Sequence, residues 1–315
     1  MIQNTELKQR QNLGQYFTPP EVVDLAYDIL ELLLEEENDH WKNKFPSVID
    51  PACGESIFLK KALERKLTQP KYIFGVDIDE KIVEKWEEIT LLKSFGSVAE
   101  LKNHFFHQNG LISLNLNSHN YSYIKSEYIH NEQFDIVVGN PPYGGIGVEF
   151  GTKLSDGTMK LIESLQKYEL IAIKVSNKKN KRNTYLQKIE GKNNTGAKIH
   201  HQLTISEQDL TYDTKVRVHE LDTMRIAKTM PIEILFVERF IKLCKPGGHI
   251  AIIVPDGILS NFKAEYVRNW MPVKTRIDAI ISLPRETFKH TGTNAKTSLM
   301  ILSRKISQEP DKEPL

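Results

Sequence analysis

The sequence predicts an α/β fold built on a doubly wound, mostly parallel sheet of seven strands. Three observations predict it: short apolar runs recur along the chain, helical patterns separate them, and turn residues follow several of them. Strands that alternate with helices are typical of parallel sheets, because the helices serve as the crossover connections. The predicted strands are Ser47–Ile49, Tyr72–Ile78, His104–Gln108, Phe134–Gly139, His249–Val254, Ile277–Leu283 and Thr297–Ser303.

Helical patterns fill several of the intervals between these strands. A helix is predicted from Pro20 to Leu34, because proline fits the first turn, where its missing N–H has no helical partner. Further helices are predicted at Ile57–Lys66, Glu80–Lys93 and Pro231–Leu243. The last of them is ended by the turn signal Lys245-Pro246-Gly247-Gly248.

Composition excludes several classes of protein. The 42 basic and 41 acidic residues nearly cancel, so no global field indicates a polyanionic partner. Two cysteines in 315 residues argue against a disulfide framework and fit a reducing compartment. The sequence contains no apolar run of membrane-spanning length and no signal-peptide core. We therefore expect a cytoplasmic protein with no membrane contact.

The segment 144–230 interrupts the alternation of strands and helices. We expect an insertion after the fourth strand that contains some helix or strand, with a strand pair at Thr211–Leu221 and mobility in its basic part. A solvated, partly disordered loop and a nucleic-acid-facing segment both remain open. The basic residues of this segment include Lys174, Lys178, Lys179, Lys181, Arg182, Lys188, Lys192 and Lys198.

The most specific motif is Asn140-Pro141-Pro142-Tyr143, which directly follows the apolar strand Phe134–Gly139. Two prolines end the strand and restrict the residue before them, so the Asn140 side chain and the Pro141 carbonyl are held rigidly. Both oxygens could accept hydrogen bonds from a planar amine, and Tyr143 could stack on the attached ring. An ordinary strand-ending turn is the alternative.

Two further motifs follow the first and second predicted strands. Asp50 to Ser56 begins a helix, and its small residues would let backbone amides approach a ligand. Asp77 and Ile78 end the second strand, where an acid can bind ribose hydroxyls. The dinucleotide fingerprint of three spaced glycines is absent at Asp50 to Ser56, so adenosine without a pyrophosphate is the simplest ligand.

With these motifs the chain resembles the amino-group adenine-specific DNA methyltransferases, particularly the modification subunits of type I restriction systems and their fused relatives. The resemblance implies a class I, Rossmann-like fold and S-adenosylmethionine as cofactor. It assigns Gly14–Pro19 to the motif that closes over the methionine end of that cofactor, and His107–Gly110 to the adenine-binding position. The cofactor-binding residues that it implies are Gln15, Tyr16, Phe17, Thr18, Asp50, Pro51, Ala52, Cys53, Gly54, Asp77, Ile78, Asn109 and Gly110.

The resemblance also implies methyl transfer to the N6 amine of an adenine flipped out of double-stranded DNA, within a restriction-modification system. Asn140, Pro141, Pro142 and Tyr143 match the catalytic motif without change. Phe288, before the last strand, is similar to the residue that stacks on the other face of the base, although a core aromatic is the alternative. No metal is required, and the histidines show no metal-ligand spacing.

The sequence departs from the family pattern at two places. Glu55 and Ser56 stand where the cofactor loop usually ends Ser-Gly, and Asn109 replaces the usual aspartate. If Ser56 caps the following helix, the change is harmless. If a positive φ is required there, cofactor affinity falls.

The expected organisation is a catalytic domain at 1–305, interrupted by the insertion 144–230, and a tail at 306–315. Only 13 residues precede the Gly14 motif, so we expect no amino-terminal nuclease or helical domain, and only Ile306–Leu315 follow the last predicted strand. We therefore expect no target-recognition domain in this chain. Sequence specificity would come from a partner such as a specificity subunit, from a missing carboxyl-terminal region, or from the insertion. The same four catalytic residues occur in enzymes that methylate glutamine in release factors or amines in ribosomal RNA. A catalytically weak, cofactor-binding scaffold is a further alternative.

Overall fold

The computed structural model describes residues 17–36, 44–88, 94–112, 114–115, 128–129, 133–144, 148, 156–179, 185–192, 198–205, 212–291 and 295–306. The chain divides into two compact units. The first draws on Met1–Gly147 and Pro231–Leu315, and the second on Val148–Met230. The division into a catalytic domain and an insertion at 144–230 stays a prediction.

The first unit contains a seven-stranded sheet. Its strands are β1 (Val48–Asp50), β2 (Ile73–Asp77), β3 (Phe105–His107), β4 (Phe134–Gly139), β5 (Cys244–Pro255), β6 (Thr275–Ser282) and β7 (Thr297–Arg304). Their order across the sheet is β3-β2-β1-β4-β5-β7-β6. Only β7 runs against its two neighbours, and the remaining pairs are parallel. The predicted α/β fold with a mostly parallel sheet is confirmed.

Helices of the first unit cover the sheet. They are α1 (Pro20–Glu36), α2 (Ile57–Glu64), α3 (Glu80–Glu88), α4 (Val98–Lys102), α5 (Ile232–Leu243), α6 (Asp256–Ser260) and α7 (Glu265–Lys274). All residues of β1 and β2 are buried, as expected for parallel strands that are covered on both faces. Helix α1 buries Val23, Tyr27, Leu30 and Leu34 at helical spacing against this core.

The second unit corrects one prediction. Thr211–Leu221 does not form a strand pair; the described part of it belongs to a helix, Tyr212–Thr229. Thr223, Ile226, Ala227 and Met230 are buried at spacings of three and four residues, and this helical periodicity outweighs the β-branched residues upstream. An antiparallel pair forms instead between Tyr185–Lys192 and Lys198–Ile205.

Two more helices of the second unit are Asp156–Gln166 and Glu169–Lys179. Lys174, Lys178 and Lys179 lie on the second of them. Lys188, Lys192 and Lys198 lie on the strand pair, and Lys181 and Arg182 lie outside the described residues. A nucleic-acid-facing role for these residues, and mobility in the basic part, stay predictions.

Among the described helices, none combines the length and the apolar character needed to cross a membrane.

Gly248 allows β5 to pass close to β4. The ladder between these strands shifts register between Phe134 and Ile136, and a Cβ on Gly248 would lie 2.5 Å from the carbonyl oxygen of Asp135. We expect Gly248→Ala to lower the free energy of unfolding by about 1–3 kcal/mol, because a backbone atom cannot move aside as a side chain can. Urea denaturation measures this change.

Gly257→Ala is the matched control, because a Cβ at Gly257 would meet nothing within 4 Å. Equal stability of the two variants would show that β4 and β5 can separate without loss.

Candidate functional site

Four loops meet at the carboxyl edge of the sheet. Strands β3, β2, β1 and β4 are parallel neighbours, so the segments that follow them lie on the same side. Ligands of open α/β sheets bind at this edge. The segments are Asp50–Ser56 after β1, Asp77–Asp79 after β2, Gln108–Gly110 after β3 and Asn140–Tyr143 after β4.

Asp77 fixes the loop after β1. Its carboxylate is buried and accepts hydrogen bonds from the N–H groups of Gly54, at 2.8 Å, and Asp79, at 2.9 Å. The Cys53 N–H donates to the Val76 carbonyl at 2.9 Å. Trp86 donates its ring N–H to the Gly54 carbonyl at 2.9 Å. Three hydrogen bonds, to Asp77, Val76 and Trp86, thus hold the loop.

Two buried carboxyl groups, those of Asp50 and Asp77, form what we call the acidic floor of the site. Burial raises the pKa of the Asp50 carboxyl well above its ordinary value; the bond from the Ala52 N–H opposes this and the nearby Asp77 adds to it. Burial also raises the pKa of Asp77, against the bonds from Asp79 and Gly54. Two buried carboxyl groups favour a cationic ligand over a phosphate.

Cys53 lies within the same loop and is buried. Burial, together with Asp77 and Asp50, raises the pKa of its thiol well above the ordinary value. The thiol therefore stays protonated and serves as a small packing group.

Two glycines bring the neighbouring segments against this loop. A Cβ on Gly110 would lie 1.8 Å from the carbonyl oxygen of Pro51. Gly139 ends β4 with a φ of +151°, and its Cβ would lie 2.4 Å from Oδ1 of Asp50. The backbone after β3 and the last residue before Asn140 can approach the loop after β1 only because both positions are glycine.

The structure decides between the two alternatives for Ser56. Ser56 adopts a left-handed conformation, with φ 63° and ψ 32°, and its side chain makes no cap hydrogen bond to α2. Serine therefore occupies a conformation that favours glycine. The added Glu55 carboxylate forms an ion pair with Lys85 of α3, with 3.0 Å between Nζ and Oε1.

The remaining predicted cofactor-binding residues differ in exposure. Ile78 is 56% exposed and gives an apolar surface beside Asp77. The Asn109 side chain accepts the Leu111 N–H at 3.0 Å and so closes the turn after β3. Phe17 is exposed and Thr18 is buried. Gln15 and Tyr16 lie outside the described residues.

The predicted catalytic turn is less open than its sequence indicates. Asn140 and Pro142 are half-buried, and Pro141 is buried. Tyr143 is 2% exposed, and Phe288 is 1% exposed within the hydrophobic core. Both rings are covered in this structure, so a base could stack on either one only after neighbouring groups move.

Sequence reasoning missed two charged residues of α5. The Glu233 carboxyl is half-buried, and burial raises its pKa while the backbone of Gly144, the residue after Tyr143, opposes that rise. Arg239 is buried and donates to the carbonyls of Gly110 and Ile112. The available signal was their position within an otherwise apolar helix, where a charge needs a specific partner.

Within the described part of the chain, no three His, Cys, Asp or Glu side chains are grouped to hold a metal ion.

Known proteins resemble this chain at the levels of family, sequence and fold. A model of the N-6 DNA Methylase family matches residues 1–199 and 200–313. The Type II methyltransferase M.CvrRI of Paramecium bursaria Chlorella virus XZ-6E is 26% identical over 136 residues, which are 43% of this chain and 26% of that protein.

Two solved structures match most of the chain. The type IIG restriction endonuclease BpuSI superposes with a TM-score of 0.50 and 16% identity, covering 94% of this chain and 26% of its own. A proposed class I S-adenosylmethionine-dependent methyltransferase from Listeria monocytogenes gives a TM-score of 0.49 and 22% identity, covering 95% of this chain and 64% of its own. At 16% identity, the match to BpuSI shows the fold alone. The chain thus spans about a quarter of M.CvrRI and BpuSI and under two thirds of the Listeria protein.

The left-handed conformation of Ser56 gives a stability prediction. We expect Ser56→Gly to raise the free energy of unfolding by about 0.5–1 kcal/mol, because glycine adopts a positive φ without a steric penalty. Chemical denaturation measures the difference.

Ser97→Gly is the control, because Ser97 begins α4 in an extended conformation and accepts the Glu100 N–H at 3.2 Å. That change should lower stability by a few tenths of a kcal/mol. A loss of stability in both variants would contradict the strain assigned to Ser56.

Proposed function

Because the chain belongs to the N-6 DNA Methylase family, we propose that it transfers a methyl group from S-adenosylmethionine to the exocyclic N6 amine of adenine in DNA. One observation carries the proposal. The Asn140–Tyr143 turn follows Gly139, which lies against Asp50 of the loop that Asp77 holds. Amine-binding and cofactor-binding motifs are therefore adjacent at one edge of the sheet.

The residues at this edge suit S-adenosylmethionine. Its sulfonium and ammonium groups are cations, which match the acidic floor formed by Asp50 and Asp77. Asp77 would accept ribose hydroxyls with its remaining lone pairs, and the exposed Ile78 would cover one face of the adenine ring. Asn109 would meet the edge of that ring. When bound, this cofactor supplies a methyl group activated for nucleophilic attack.

Asn140 and Pro141 act on the nucleophile. An aromatic amine is a weak nucleophile because its lone pair is delocalised into the ring. Accepting one amine hydrogen at the Asn140 side-chain oxygen and the other at the Pro141 carbonyl favours a pyramidal nitrogen with a localised lone pair. The two prolines hold both acceptors in place, so little reorganisation is needed as positive charge develops on the nitrogen.

The target adenine lies outside the reach of these groups while it is stacked in a duplex. It must be flipped out of the helix, which methyltransferases of DNA bases generally do. Tyr143 and Phe288 are proposed to stack on its two faces. Because both rings are covered without DNA, base entry would require the groups around them to move.

We also propose that the chain works within a restriction-modification system and obtains its sequence specificity from a specificity subunit or from a further region of a longer protein. A catalytically weak scaffold is the second candidate, favoured by the strained Ser56. Methyl incorporation into DNA, RNA and a release factor, compared side by side, separates these functions.

Asp77 gives the test of cofactor binding. Asp77→Ala should weaken binding of S-adenosylmethionine by about 1–3 kcal/mol, because it removes hydrogen bonds to a charged acceptor. Asp79→Ala is the control, because that half-buried acid caps the start of α3 by accepting the Lys81 N–H, whereas Asp77 accepts the Gly54 N–H. Calorimetric affinities that are equal for Asp77→Ala and the wild type would remove Asp77 from the site.

The raised pKa values give this affinity a pH dependence. Protonated Asp50 and Asp77 no longer attract a cation, and burial makes both protonate at higher pH than exposed carboxyl groups do. Affinity for S-adenosylmethionine should therefore fall as the pH is lowered through this raised range. Calorimetry across a pH series would show no slope there if the acidic floor did not face the ligand.

The catalytic turn gives the test of mechanism. Asn140→Ala should leave cofactor affinity intact and slow single-turnover methylation by about 10²-fold or more, because one oriented acceptor is lost from the transition state. Tyr143→Ala should lose about 1–3 kcal/mol of base stacking, seen in DNA binding as well as in rate. Tyr143→Phe should retain most activity, because stacking uses the ring.

These measurements need DNA and whatever specificity partner the system supplies. Wild-type methylation rates in Asn140→Ala would refute the assigned mechanism.

A further inference from the structure

Helix α5 buries two charged side chains, Glu238 and Arg239, among apolar ones. Glu238 forms an ion pair within the helix, with 2.6 Å between its Oε1 and Nζ of Lys242. The buried apolar residues of this helix include Ile234, Leu235, Phe236, Val237, Phe240 and Ile241. Arg239 is only 4% exposed. A charge in such surroundings is unfavourable unless hydrogen bonds hold it, so its contacts indicate what the helix uses it for.

Arg239 binds the loop after β3 through two hydrogen bonds. Its Nε donates to the Gly110 carbonyl at 2.9 Å, and its Nη2 donates to the Ile112 carbonyl at 2.8 Å. The planar guanidinium thus binds two carbonyls that are two residues apart, and its rigid geometry fixes their relative position. Asn109, whose side chain accepts the Leu111 N–H, directly precedes the bound segment Gly110–Ile112.

Through Gly110, Arg239 also affects the loop after β1. Gly110 lies between Pro51 and α5, since a Cβ at this position would be 1.8 Å from the Pro51 carbonyl oxygen and 3.4 Å from the ring of Phe236. A displacement of Gly110 would therefore displace the backbone on which the loop after β1 rests. Arg239 thus holds the Gly110 backbone, against which Pro51 of the loop after β1 lies.

We propose that α5 is the brace of the site, in which Arg239 positions the loop Asn109–Ile112 for cofactor binding. Arg239 is not a catalytic residue, because it acts through backbone that it holds. What this loop binds rests on the proposed function, whereas the brace itself rests on the contacts of Arg239.

The first experiment tests Arg239 with S-adenosylhomocysteine, which binds without turnover. Arg239→Lys keeps the charge and loses the fork, so its calorimetric dissociation constant should rise by about 10-fold or more. Arg268→Lys is the matched control, because Arg268 of α7 also donates to two carbonyls, those of Ile258 and Asn261, away from this loop. Equal affinities in Arg239→Lys and the wild type overturn the role of Arg239.

Hydrogen exchange in the absence of ligand separates positioning from general stability. In Arg239→Lys the amides of Leu111 and Ile112 should exchange faster, while those of Leu299–Leu302 in β7 keep their wild-type rates. Equal acceleration of both sets would mean that Arg239 only stabilises the fold, and would overturn its positioning role.

The outcomes distinguish the brace from the proposed function. A wild-type chain that binds no S-adenosylhomocysteine removes the proposed function, and the local hydrogen exchange of Leu111 and Ile112 still tests the brace. A wild-type chain that binds it, with Arg239→Lys unchanged in affinity and exchange, overturns the brace alone.

Discussion

The bond between the Asp77 carboxylate and the Gly54 N–H is the interaction on which the site depends. It ties the loop after β1 to the end of β2, and the Cys53–Val76 backbone bond repeats the connection one residue away. The other segments are placed relative to this loop: Gly110 lies against Pro51, and Gly139 lies against Asp50. Release of the Gly54 N–H would therefore loosen the loops after β3 and β4 as well. The loop after β3 is also bonded to Asp77 itself, because the Gln108 N–H donates to the Asp77 carbonyl at 2.8 Å.

The loops around Asp77 depend on two buried carboxyl groups, Asp50 and Asp77, that destabilise the folded state when they are ionised and no cation is bound. The pKa values of Asp50 and Asp77 are raised in the fold, so the folded chain binds their protons more tightly than the unfolded chain does. Stability therefore falls as the pH rises from the ordinary carboxyl range through the raised one, and the ionised pair is a net cost above it. A bound cation would offset that cost. Acidic groups that weaken the empty fold are common at sites where ligand binding restores the balance.

Sequence reasoning predicted the parts that depend on local pattern. Alternating apolar runs gave the strands and their order of appearance, and the segment Asn140–Tyr143 was predicted to follow a buried strand, as it does. The predictions failed where distant contacts decide. Thr211–Leu221 reads locally as a strand pair, yet buried side chains downstream make it helical. The conformation of Ser56 follows from the tight loop around it. The carbonyls that Arg239 binds lie 129 and 127 residues away in the chain, beyond the reach of any periodicity.

The long-range contacts of α5 explain how one helix can hold two loops of the site. The loops after β1 and β3 follow different strands, and each could shift separately if it were held only by its own strand. Arg239 binds the carbonyls of Gly110 and Ile112, and Gly110 lies against Pro51, so α5 fixes the positions of both loops. The rings of Tyr143 and Phe288 are covered, so the proposed substrate side must rearrange to admit a base. A cofactor side held by α5 can keep its geometry while that rearrangement takes place.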